Sequence, residues 1–88
     1  GYIALWKSDK NGQACNGGSK DFTAAVGLVQ EIKGPLKLCG RGALHATLHP
    51  DKWKGERMWL VALHGDIAFD EIKVGALKRE FIAEVPIL

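Results

Sequence analysis

Arg57-Met58-Trp59-Leu60-Val61-Ala62-Leu63-His64 is apolar at six consecutive positions, so both side-chain parities of an extended segment are hydrophobic there. A strand with one face in water alternates apolar and polar residues. The run therefore predicts a central strand buried on both faces, closed by Gly65-Asp66, around which the rest of the chain must be built. With 88 residues in all, one domain spanning 1–88 buries roughly 60–65% of its unfolded surface, enough for a modest core and not for a deep cleft.

Other segments supply partners for that strand. Tyr2 to Lys7 alternates Tyr2/Ala4/Trp6 with Ile3/Leu5 and reads as a strand, followed by a polar loop from Ser8 to Lys20 with turn signals at Asn11-Gly12 and Asn16-Gly17-Gly18. In Phe22 to Ile32 the positions Phe22, Val26, Val29 and Ile32 fit a helical stripe, but Gly27 favours an extended second half. Lys33-Gly34-Pro35 is a turn, Leu36 to Cys39 a short strand, and Gly40-Arg41-Gly42 a break. Pro50 to Gly55 reads as one helical turn, since proline suits a first helical position and glycine stops it. Gly75 to Val85 fits helix and strand almost equally: Leu77, Phe81 and Val85 have helical spacing, yet the same stretch alternates as a strand would. The fold class expected is α+β, a strand-rich single domain with an antiparallel or mixed sheet and one or two short helices.

Composition narrows the function classes. An apolar share of 47% with 25% charged residues is a globular mixture, not the signature of disorder. Twelve basic and ten acidic residues, interspersed, give a net charge of +2, which does not point to a nucleic-acid or anionic-membrane surface. No apolar stretch approaches the ~20 residues that span a bilayer, and the start lacks the basic segment and cleavage site of a signal peptide. A cytoplasmic protein is the expectation, with Gly1 a tag remnant or a processed first residue. Cys15 and Cys39 lack a C-x-x-C spacing and are expected as free thiols.

Reactive side chains concentrate between Cys39 and Pro50. From Gly42 onward Leu44, Ala46 and Leu48 alternate with His45, Thr47 and His49, which predicts a strand showing a polar face to solvent or to a pocket. On a strand His45 and His49 stand roughly 13 Å apart, too far to share a metal ion, and no metal or cofactor is expected. Cys39 with either histidine would make an activated thiol, but no orienting acid accompanies it, and a small buried hydrophobe is the plainer reading. Asn16-Gly17-Gly18-Ser19-Lys20 lacks the pattern of a phosphate loop. Trp59 belongs to the core, while Trp53, between Lys52 and Lys54, is either a core-edge cap or an interface contact.

Two resemblances attach to these residues. His45-Ala46-Thr47 after a glycine-containing turn is similar to the His-Gly-Thr-like strand of ADP-ribosyltransferases, where imidazole and hydroxyl position the nicotinamide ribose. The resemblance implies a late acidic residue, Glu84 or Glu80, stabilising an oxocarbenium-like centre, and a catalytic set of Arg41, His45, Thr47 and Glu84. Separately, Leu36 to Ala46, Trp59 to Asp66 and Lys73 to Glu80 together resemble a group of small uncharacterised domains common in bacteriophage and mobile-element genomes. Its pattern is a C-x-x-G-x-H-A strand, an apolar strand ending in Gly-acidic, and a Lys before a basic segment. Ala43 is an insertion relative to that pattern. The group has no established activity, so no residue role comes with it.

The sequence thus predicts a non-enzymatic protein-interaction or self-associating domain of phage or mobile-element type, with His45, His49 and Trp53 as contact residues. The alternatives are an ADP-ribosyltransferase-like or nucleotide-binding site on the His45/Thr47/His49 face, and nucleic-acid binding through Lys52, Lys54, Arg57, Lys78 and Arg79.

Overall fold

The computed structural model describes residues 1–15, 22–38 and 40–87. Seven strands form, β1 (Tyr2–Ser8), β2 (Val29–Glu31), β3 (Leu44–Ala46), β4 (Arg57–His64), β5 (Ala68–Phe69), β6 (Val74–Ala76) and β7 (Lys78–Val85). They make two antiparallel sheets, β1-β4-β7-β2 and β3-β6-β5. Leu77 alone separates β6 from β7, so one bent segment serves both sheets. Leu5 and Thr47 exchange backbone hydrogen bonds of 2.9 and 2.7 Å, which joins the first sheet's β1 edge to the end of β3. The pairing therefore runs round a closed circuit, β1 to β4 to β7/β6 to β3 and back, and the core lies inside it.

The α+β expectation is overturned: the fold is all-β. Among the described residues the helical content is two single 3-10 turns, Gly40–Gly42 and Pro50–Lys52. The helical stripe in Phe22 to Ile32 does not form, because Gly27 takes a left-handed φ of +92° and turns the chain into β2. Gly75 to Val85 resolves as strand, since β4 and β2 flank β7 and satisfy its backbone on both edges. Leu36 to Leu38 is not a strand; Lys37 N–H instead closes on the Gly42 carbonyl at 2.9 Å. Cys39 and the Asn16–Lys20 loop lie outside the described residues. No described helix is long and apolar enough to cross a membrane.

The inner face of the larger sheet carries Ala4, Trp6, Trp59, Val61, Leu63 and Phe81, and Val74, Ala76 and Ala46 close over them from the smaller sheet. Phe81 meets Trp6 and Trp59 edge-on, with ring centroids 5.2 and 5.9 Å apart. A β-bulge at Leu60/Val61 shifts the β4–β7 register, so that Val61 faces Phe81 and Leu60 faces Ala83. Gly75 lets β6 approach the loop before β3: a Cβ there would lie 2.8 Å from that of Ala43.

Candidate functional site

The polar strand face predicted for His45, Thr47 and His49 does not form. β3 ends at Ala46, and Ala46 and Thr47 are both buried while Leu48 is exposed. Thr47 turns inward because its backbone pairs with Leu5; its Oγ1 donates to the Ile72 carbonyl at 2.5 Å and accepts from His49 N–H at 2.9 Å. It is a buried tie between β3 and the β5–β6 turn. His45 is half-buried, with Nε2–H donating to the Leu38 carbonyl, and so fastens the preceding loop. His49 alone of the three stands exposed.

The other members of the catalytic set fall elsewhere. Arg41 is exposed in a 3-10 turn. Glu84 forms a two-pronged ion pair with Arg57, both contacts at 2.8 Å, and Arg57 in turn stacks on Trp59 with 4.8 Å to the ring centre. The Arg57 guanidinium holds the Glu84 carboxyl below its ordinary range. Glu84 lies five residues beyond Arg79 along β7, roughly 16 Å at ~3.3 Å per residue, and it is Arg79 that contacts His45. The structure therefore brings Thr47 and His49 together and leaves Glu84 at the far end of the barrel. Glu80, the other acid considered, accepts from His64 Nε2 at 3.1 Å. Trp53 packs at the core edge, its carbonyl accepting from Lys7 Nζ at 3.2 Å. Among the described residues no three His, Cys, Asp or Glu side chains gather as metal ligands. Comparison with protein-family models, curated proteins and solved structures gives no match.

Three further arrangements stand out in the structure. The first is Arg79, grouped from sequence with surface cations but only 4% exposed. Its guanidinium donates to Gln30 Oε1 at 2.6 and 3.2 Å and to the His45 carbonyl at 2.7 Å, and stacks against Trp6, Phe22 and Phe81 at 5.2–5.6 Å. Among the described residues no carboxylate is within ion-pair reach of it. Burial pushes its pKa down to about 9, so the guanidinium still carries its charge at neutral pH. This cation pins β2, β3 and β7 together. With Arg79 inside and Arg57 neutralised by Glu84, the five basic residues considered for nucleic acid do not make one patch.

The second is the outer face of the larger sheet. Register places Ile3 beside Ala62, Leu5 beside Leu60 and Ala83, and Met58 beside Val85, all pointing away from the core. Leu5, Met58, Leu60, Ala83 and Val85 are half-buried, Ile3 is 50% exposed and Ala62 is buried, and among the described residues the core cluster includes none of them. Lys7 and Glu80 stand at diagonally opposite corners of this face, with Leu60 between them.

The third is a shallow, open concavity beside β5, lined by Tyr2, Leu48, His49 and the Phe69–Val74 segment. Phe69 is 72% exposed, Leu48 55% and Ile72 45%. A second, wider one includes Lys10, Cys15 and Glu56; there Cys15 Sγ–H donates to the Lys54 carbonyl at 3.1 Å.

Proposed function

We propose that the chain is a non-enzymatic interaction domain that self-associates through the outer face of its larger sheet. The observation that carries this reading is β4: Trp59, Val61 and Leu63 point into the core, and the half-buried Met58 and Leu60 point to the opposite face. An antiparallel sheet facing water carries polar residues on that side, and contiguous apolar surface mostly marks an interaction site.

Charge placement favours a second copy as the cover. A two-fold axis lying in the contact plane, passing by Leu60 and crossing the Lys7–Glu80 diagonal at right angles, sets each Lys7 against Glu80 of the other copy. That operator stacks the two sheets with strands crossing steeply, one of the two common ways sheets pack. The resemblance to small phage and mobile-element domains belongs to the same proposal. Its three segments meet in space, since β3 pairs with β6 and β4 with β7.

Sedimentation velocity tests the reading. The wild-type chain is expected to sediment as a dimer, and Leu60→Lys, at an outward position, as a folded monomer. A wild-type monomer at all accessible concentrations, or a Leu60→Lys dimer, would overturn it.

A further inference from the structure

β5 is the edge of the smaller sheet, and its Phe69 lines the concavity shared with Leu48, His49 and Ile72. Asp70 N–H donates to the Lys73 carbonyl at 2.9 Å, making that pair a hydrogen-bonded one. Pairs alternate along an antiparallel ladder. Phe69, opposite Val74, is therefore in a non-hydrogen-bonded pair, and its own N–H and C=O point to the open edge. Edges of this kind are templates for an added strand. Here the edge is short, two residues, but its phenylalanine is 72% exposed, and no charged residue lies within Ala68–Phe69.

Charge selects what can add. The β5 edge is flanked by Asp66 on one side and by Asp70 and Glu71 on the other, all exposed. Asp70 is held ionised well into the acid range, because its carboxylate accepts the Ile72 and Lys73 backbone N–H groups, each at 2.8 Å. The one cation among the lining residues is Lys73, which is half-buried, and His49 is the neighbouring titratable group. A strand laid along β5 thus passes carboxylates at both ends and an apolar hollow in the middle.

We propose that this edge captures an extended segment of a partner protein with an apolar residue between basic ones. The segment's backbone pairs with Phe69, its apolar side chain enters the hollow, and its Lys or Arg side chains lie against Asp66 and Glu71. The site is separate from the outer face of the larger sheet, and each can fail without the other.

Fluorescence anisotropy with three labelled heptapeptides tests it, all alternating valine or leucine with a second residue that is lysine, serine or glutamate. The lysine probe is expected to bind, more weakly as salt rises, and the glutamate probe not to bind. Phe69→Ser should weaken the lysine probe about tenfold or more. Glu71→Lys, which leaves the turn's hydrogen bonds intact, should shift preference towards the glutamate probe. Leu60→Lys should bind as the wild type does. Equal binding of the three probes, no binding of the lysine probe, or binding unchanged in Phe69→Ser would overturn the proposal. Loss of self-association in Phe69→Ser would overturn it too, by making a second copy the occupant of this edge.

Discussion

Arg79 donates to the backbone carbonyl of His45 across 2.7 Å, so a charged side chain of one sheet holds the main chain of the other inside the barrel. The contact explains how a short, three-residue strand is kept in place. It also ties the half-buried His45, whose ring fastens the Leu38 loop, to the aromatic cluster of Trp6, Phe22 and Phe81.

Replacing Arg79 should therefore cost more than its charge suggests. Arg79→Met leaves Gln30 and the His45 carbonyl without donors, and Arg79→Lys keeps the charge but loses the planar fork and the ring stacking. Both variants should lose about 2–4 kcal/mol in urea unfolding. An Arg79→Lys chain as stable as wild type would contradict the pinning role.

Thr47→Val preserves shape and removes the hydroxyl that serves Ile72 and His49. The expected loss is about 1–3 kcal/mol, with faster amide exchange in the β5–β6 turn. Were Thr47 instead a ligand-positioning residue, its removal would leave the unfolding midpoint unchanged.

Gly75→Ala brings a methyl to 2.8 Å from Ala43 Cβ and 3.1 Å from Leu38 Cδ1. Neither neighbour is free to move far, since Ala43 is buried and the Leu38 carbonyl is bound by His45. Overpacking of this kind costs about 1–3 kcal/mol, readable in the thermal midpoint.

The Arg57–Glu84 pair sets a pH dependence. Arg57 lowers the folded-state pKa of Glu84, so the contribution is present above the unfolded carboxyl's ordinary range and is lost as pH falls through the folded value. Wild type should exceed Glu84→Gln in urea midpoint at neutral pH, with the gap closing in acid. A gap that stays constant into strong acid would contradict the pairing.

The parts of this fold legible in the sequence are those where one strand's own pattern decides. β1 is where Tyr2 to Lys7 alternates, and β4 follows the apolar run from Met58 to Leu63. The C-terminal segment was evenly balanced because Leu77, Phe81 and Val85 satisfy both periods; only the free edges of β4 and β2 decide it. Likewise the alternation from Leu44 to His49 is broken by a tertiary contact, the Leu5–Thr47 pair, that no local pattern announces. The burial of Arg79 is hidden from the sequence for a similar reason. Between Lys78 and Glu80 it looks like a surface charge, and nothing nearby in sequence reveals the three rings that receive it. The apolarity of β4 on both faces was visible from the start, and it points now to a surface rather than to two layers of core.

The most direct test of self-association through that surface is an isotope-filtered NOE measurement on an equimolar mixture of labelled and unlabelled protein. Cross-peaks between copies are predicted among the methyl groups of Ile3, Leu5, Leu60 and Val85, which face away from the core. Their absence, or intermolecular contacts confined to Leu48, Phe69 and Ile72, would contradict the account.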